Sequence, residues 1–139
     1  MPYRAADLKA KLEDLFPPST SDWKCLLIAD FSYTLSETST TSQWLALEVN
    51  TANRATFSTP SASSYQIGSS MIGAYFNFTI SVVNSGGSLL EWSHYAILDP
   101  FGDLKTYMVT FSGNSQSAGS TGSRDLGIKL EYQSPSSGG

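Results

Sequence analysis

The sequence is poor in the residue types that most often carry out chemistry. Its 139 residues include one cysteine, Cys25, and one histidine, His94. A single thiol cannot close a disulfide within the chain, and a single imidazole excludes a metal site built from several histidines. We therefore predict that the protein has no disulfide framework, no bound metal and no cofactor.

Charged side chains are also scarce. Lysine, arginine, aspartate and glutamate make up 14% of the chain, the formal net charge is −4 and the pI is about 4.7. The polar surface is expected to consist of hydroxyl groups, because the chain contains 24 serines and 12 threonines. With only 8 basic residues, we predict no nucleic-acid partner, since affinity for phosphate backbones comes from lysine and arginine.

Long apolar runs are missing as well. No window of 18 residues is apolar throughout, so we predict no membrane-spanning segment and no membrane partner. The first 16 residues carry charges through their middle, unlike the apolar centre of a signal peptide. We therefore expect a protein that is made in the cytoplasm without a signal peptide. The length fits one ordinary domain.

Residues 4–16 have the spacing of an amphipathic helix. The apolar positions recur every three or four residues on one side, and Pro17 and Pro18 end the pattern. A helix this short needs a surface to pack on, either its own sheet or another chain. We predict the second, with residues 1–22 as an arm and linker. The side chains predicted to bind a neighbouring subunit are Leu8, Leu12, Leu15 and Phe16.

From Trp23 onward the apolar pattern has a period of two, which is typical of strands. The clearest strand covers residues 72–82, and residues 89–99 and 104–111 are predicted to follow it in a meander. Further strands are predicted at residues 24–33, 43–49, 55–58 and 125–133, with one more candidate near residues 65–68. Three segments rich in serine and threonine are predicted as loops, at residues 36–42, 58–64 and 112–123.

Together these elements predict a mainly β fold. Seven or eight short strands with turn signals between them favour an antiparallel β-sandwich, of jelly-roll or immunoglobulin-like topology, preceded by one short N-terminal α-helix. The sandwich domain is assigned to residues 23–133, and residues 134–139 form a polar C-terminal tail.

The residues that could support catalysis are better explained by structure. His94 has apolar neighbours on its face of the strand, Cys25 lies on an apolar strand, and the chain has no G-x-S-x-G motif. Glu48, Glu91 and Glu131 lie opposite the apolar positions of their strands, as solvent-facing side chains do. We therefore predict that the protein is not an enzyme and has no catalytic residues.

Aromatic residues offer the best sign of ligand binding. The chain has 3 tryptophans, 7 tyrosines and 7 phenylalanines, and an outward ring beside asparagine or serine can stack on a sugar. Tyr75, with Asn77 on the same face, is the first candidate for such stacking, followed by Tyr95 and Tyr107. The alternative is that these rings fill the core or an interface between subunits.

In overall plan the chain resembles small virion proteins, especially the decoration or cement proteins of tailed phages. The shared features are a compact β-sandwich, few charges, no catalytic residues and a terminal arm that grips a neighbour. The resemblance implies a non-enzymatic structural protein at the surface of a virion or another extracellular particle, with other protein subunits as partners in a homo-oligomer or shell. The alternative hypothesis is a carbohydrate-binding module or a lectin-like β-sandwich.

Overall fold

The computed structural model describes residues 3–133, except the side chains of residues 111–113. It confirms a mainly β fold with an N-terminal helix and, in the described residues, eight strands in two antiparallel sheets. In chain order the elements are α1 (Ala5–Leu15), β1 (Trp23–Ile28), α2 (Thr41–Leu45), β2 (Glu48–Val49), a 3-10 turn (Thr51–Asn53), β3 (Ala55–Phe57), β4 (Ser63–Ile67), β5 (Met71–Val83), β6 (Leu90–Leu98), β7 (Leu104–Gln116) and β8 (Thr121–Gln133).

The first sheet is built around β1 and β6. β6 pairs with β1 on one side and with β7 on the other, while the short strands β2 and β3 share the second edge of β1. Every residue of β6 from Trp92 to Leu98 is buried. Both faces of this strand are therefore covered, and alternation cannot separate inner from outer side chains here.

One face of the first sheet is covered by the segment that contains α2. The predicted strand at residues 43–49 is wrong up to Leu45, which ends a helix, and only Glu48–Val49 of it form a strand. Thr40 and Gln43 form a capping box, in which the Thr40 N–H donates to Gln43 Oε1 at 2.7 Å and the Gln43 N–H donates to Thr40 Oγ1 at 3.2 Å. The box starts a short helix whose Trp44 packs among Leu26, Ile28, Ala96 and Leu98.

The second sheet has the strand order β4–β5–β8. Along β5 the predicted alternation is confirmed: the even-numbered residues from Ile72 to Val82 are buried, while Tyr75, Asn77, Thr79 and Ser81 are exposed. β4 pairs only with the first part of β5, from Met71 to Tyr75.

The predicted meander is half correct. β6 and β7 pair as expected, but β5 belongs to the other sheet, so the segment after β5 crosses between sheets. Asn84 holds this crossing: its Nδ2 donates to Ser88 O at 2.8 Å and to Gln116 O at 3.0 Å, and its Oδ1 accepts from the Gly86 N–H at 3.1 Å. Both amide hydrogens are thus used, which suits a buried side chain.

The predicted loop at residues 112–123 is correct only for residues 117–120, because β7 runs on to Gln116 and β8 begins at Thr121. The serine-rich backbone is extended because it pairs with β6, with Glu91 opposite Ser115. Arg124 supports the pair from β8, since its Nη2 donates to Ser115 O at 2.9 Å and to Gln116 Oε1 at 3.0 Å.

The described residues form two compact units. The first contains residues 3–20, 58–78 and 125–133, and the second contains residues 21–57 and 79–124. The helix lies within the first unit, so in this structure the boundary predicted at residue 22 does not set it apart as an arm. The predicted tail, residues 134–139, lies outside the described residues.

Candidate functional site

The helix face that was predicted to bind a neighbour is buried in its own unit. Leu8, Leu12 and Phe16 are buried, whereas Leu15 is 51% exposed. The helix packs on β4, and the Phe16 and Phe76 rings meet with centroids 5.5 Å apart. For Leu8, Leu12 and Phe16 the assignment to a neighbouring subunit is therefore corrected, because the chain itself supplies the surface that the short helix needs. For Leu15 it stays a prediction.

The segment after the two prolines is also held in place. Thr59 is buried, and its Oγ1 donates to Pro17 O. The Ser19 N–H donates to Thr59 O at 2.7 Å, and the Thr59 N–H donates to Thr20 O at 3.0 Å. These bonds hold the end of the predicted linker at Ser19 and Thr20 against Thr59.

Of the three tyrosines predicted to stack on a ligand, one remains available. Tyr75 is 37% exposed, whereas Tyr95 is buried, with its ring centroid 6.1 Å from that of Trp92. Tyr107 is half-buried, and its ring lies 4.5 Å from Trp44. The prediction is wrong for Tyr95, because both faces of β6 are covered, and the Tyr107 ring is already occupied by Trp44.

Tyr75 belongs to a group of side chains on the outer side of the second sheet, which we call the tyrosine face. The face consists of Tyr65 on β4, Tyr75 and Asn77 on β5, and Lys129 and Glu131 on β8. The Tyr65 and Tyr75 ring centroids are 6.0 Å apart, with an interplanar angle of 51°. Sequence reasoning missed Tyr65, since its segment was predicted to follow a loop and carried no clear alternation.

Tyr65 reaches across β5. Its ring lies over Gly73, where an added Cβ would overlap the ring, and its hydroxyl donates to the Glu131 carboxylate. Partial burial, followed by this hydrogen bond, raises the pKa of Tyr65 to about 12. The same bond, together with Lys129 Nζ at 3.1 Å, lowers the pKa of Glu131. At neutral pH Tyr65 is therefore a protonated donor and Glu131 an ionised acceptor.

A second surface lies in the other unit, and we call it the edge groove. Its volume is about 380 Å³, and its lining residues are Asn53, Arg54, Ala55, Thr56, Thr79, Ser81 and Val83. Asn50 Nδ2 donates to Val83 O at 3.0 Å. Since backbone groups alternate between the two sides of a strand, Ser81 directs its N–H and C=O to the same side as Val83.

One wall of the edge groove is fixed by an ion pair. Arg54 binds Glu48 through Nε to Oε2 at 2.8 Å and through Nη2 to Oε1 at 2.5 Å. The Glu48 side chain is almost fully buried beneath the guanidinium, so its prediction as a solvent-facing side chain is wrong. The hydrogen bonds to Glu48 raise the pKa of Arg54. The pair leaves this wall without a net charge.

Ser93 and His94 form a close pair of the type found in some catalytic sites, but both are buried. Ser93 Oγ accepts from the Asp30 N–H at 2.7 Å, donates to Ile28 O at 3.1 Å and lies 2.7 Å from His94 Nδ1. Because the hydroxyl hydrogen is used by Ile28, this network assigns a hydrogen to His94 Nδ1. The serine oxygen is thus committed to the backbone around a register shift in β6.

The burial of His94 leads to a prediction about pH. Burial lowers the pKa of His94, against the opposing effect of the Asp30 carboxylate. The unfolded chain then binds more protons than the folded chain below the ordinary histidine pKa of about 6.5, so the free energy of unfolding should fall as pH drops from 8 to 5.5. Urea denaturation at several pH values measures this change.

His94→Asn is the matched control, since asparagine keeps an N–H donor for Ser93 Oγ and does not titrate. The variant should be less stable at pH 8 and should lose much of the pH dependence. If the free energy of unfolding changed equally with pH in both proteins, the pH dependence would come from groups other than His94.

Among residues 3–133, no three side chains of histidine, cysteine, aspartate or glutamate are grouped so that they could hold a metal ion. No helix in that range is long and apolar enough to cross a membrane. Comparison with protein-family models, curated proteins and solved structures found no match to the chain, so the chemistry of the tyrosine face and the edge groove is the basis for a functional assignment.

Proposed function

We propose that the protein is a non-enzymatic structural subunit of a multi-subunit assembly, in which the edge groove receives an extended strand from a second copy of the chain. The observation that carries the proposal is the edge of β5 at Ser81. Within the described residues, β5 pairs with β8 on one side and with β4 only as far as Tyr75 on the other. Strand edges of this kind are templates for pairing with another chain.

The chemistry of the edge groove supports a strand as the occupant. Asn53, Thr56 and Ser81 are uncharged, and the charge of Arg54 is balanced by Glu48. An entering backbone would therefore meet hydrogen-bonding groups without an excess of either charge. In strand addition the main-chain hydrogen bonds supply most of the affinity, and small side chains allow the close approach that they require.

The proposal also concerns where the assembly is found. A sandwich with few charged residues suits close packing of many copies, since lysine, glutamate and aspartate are depleted in the centres of interfaces. We propose a place on the surface of a virion or a similar particle, with neighbouring protein subunits as partners. In this proposal the edge groove, and not the N-terminal helix, makes the contact with a neighbouring subunit.

Ser81→Pro tests the proposal directly. Proline removes the N–H that points into the edge groove and leaves the hydrogen bonds between β5 and β8 in place, as it does on natural edge strands. We expect the wild type to form an oligomer whose mass rises with concentration, and we expect Ser81→Pro to need at least tenfold more protein for the same mass. Size-exclusion chromatography with light scattering measures both, and circular dichroism confirms the fold.

Ser81→Ala is the matched control, because it changes the side chain and keeps the backbone N–H. It should assemble like the wild type. A wild type that stays monomeric at all concentrations, or a proline variant that assembles normally, would contradict the proposal.

A further inference from the structure

We infer that the tyrosine face is a binding site for a neutral oligosaccharide. The inference does not depend on the edge groove, which lies in the other unit. Its starting point is the exposed ring of Tyr75, beside an amide and a carboxylate on the same side of the sheet. A sugar presents C–H groups that pack on aromatic rings and hydroxyl groups that bind amides and carboxylates.

The two rings are arranged before any ligand arrives. Tyr65 is fixed at one end by the hydrogen bond to Glu131 and lies in the space that the missing Gly73 side chain leaves. Tyr75 is inclined to it by 51°. A ring that is already oriented loses little conformational freedom on binding, so more of the contact energy is available for affinity. Two inclined rings offer separate surfaces to successive units of an oligosaccharide.

Polar groups that can bind hydroxyls stand next to the rings. Asn77 is exposed two residues after Tyr75, so both side chains project from the same face of β5. A Cβ at Gly127 would overlap Asn77 Oδ1, so the glycine leaves room for the Asn77 amide. This amide both donates and accepts hydrogen bonds, and the Glu131 carboxylate has acceptor capacity beyond its bond to Tyr65.

The charges of the face favour a neutral ligand. Lys129 Nζ lies 3.1 Å from Glu131 Oε1, so the one cation of the face is already paired with its one anion. An acidic sugar would have to compete with Glu131 for Lys129. The face also has only two rings among polar groups, which is a poor match for a permanent protein interface with an apolar centre.

Affinity electrophoresis tests the inference with named probes. The full chain is run at pH 7 through native gels that contain hydroxyethyl cellulose, xylan or dextran, each against a gel without polymer. We expect at least one of the three neutral polymers to retard the wild type. Tyr75→Ala should weaken the binding at least tenfold, and Asn77→Ala should weaken it to a smaller extent. Tyr33→Ala is the matched control, since Tyr33 is 55% exposed and lies in the other unit.

Three results would contradict the oligosaccharide site, and one would support it. The inference is overturned if no polymer retards the wild type, or if Tyr75→Ala is retarded as strongly as Tyr33→Ala. It is also overturned if Tyr75→Ala instead lowers the oligomeric mass, because the face would then contact protein. Retention of Ser81→Pro by the polymer, together with loss of assembly, would support the two surfaces independently.

Discussion

Replacing Leu12 with alanine should lower the free energy of unfolding by about 2–5 kcal/mol, the range for truncating a large aliphatic side chain in a core. Leu12 is 1% exposed and lies on the face of α1 that packs on β4. The helix is too short to be stable in isolation, so its packing holds it in place. Urea denaturation followed by circular dichroism measures the change.

Leu15→Ala is the matched control on the same helix, because Leu15 is 51% exposed. It should change the stability by no more than about 0.5 kcal/mol. If Leu12→Ala left the stability of the monomer unchanged and abolished assembly instead, the helix would have to pack on a neighbouring subunit in solution.

Trp44→Ala should cost about 3–5 kcal/mol, because it empties the centre of the cluster that covers one face of the first sheet. Trp44 is 1% exposed, and its ring lies 4.5 Å from that of Tyr107 and 5.6 Å from that of His94. Alanine would leave a cavity that the capped turn of α2 can fill only by moving. Urea denaturation gives the size of the loss.

The control for Trp44 is its neighbour Leu45, which is 37% exposed. Leu45→Ala should cost far less. Limited proteolysis shows where the structure opens: cleavage of Trp44→Ala within residues 29–47, before the rest of the chain, would mark local loss of this cover. A larger loss from Leu45→Ala than from Trp44→Ala would mean that the helix presents its other side to the sheet.

The strands that could be read from the sequence are those with one covered face. Along β5 the outward residues from Tyr75 to Ser81 are exposed and the inward residues from Ile72 to Val82 are buried, so the alternation predicted its bounds almost to the residue. β6 is covered on both sides, and the same reasoning placed Tyr95 outside when it is buried. The sequence does not show which faces of a strand distant segments cover. On β6, α2 covers the face that carries Ala96, about fifty residues later in the chain, and Tyr95 is buried on the opposite face.

The start of α2 had a local signal in the sequence, but the serine- and threonine-rich composition around it made the signal hard to recognise. Thr40 and Gln43 have the spacing of a capping box, and the serines and threonines around them concealed it. The end of β7 had no such local signal, because its serine-rich backbone becomes a strand through pairing with β6.

The candidate site was predictable only in part. The alternation placed Tyr75 and Asn77 together on the outer side of β5, and the structure keeps them there. Tyr65 and Glu131 are 66 residues apart, and they meet because β4 and β8 flank β5. Strand order of this kind depends on the whole chain. The apolar stripe of the helix was likewise visible, but the surface that covers it was not.

The hydrogen bonds of Asn84 also bear on the chemical lifetime of the protein. An asparagine followed by a small residue deamidates when the nitrogen of that residue, here Ser85, attacks the side-chain carbonyl carbon. The bonds from Asn84 to Ser88 O and Gln116 O, and from the Gly86 N–H, hold the amide against the swing that this attack requires. Deamidation would put an oxygen where the amide NH₂ now faces two carbonyl oxygens, so a damaged molecule could not re-form the crossing. Deamidation of Asn84 is therefore expected only in molecules whose crossing segment has already unfolded. The altered side chain would then prevent that segment from refolding.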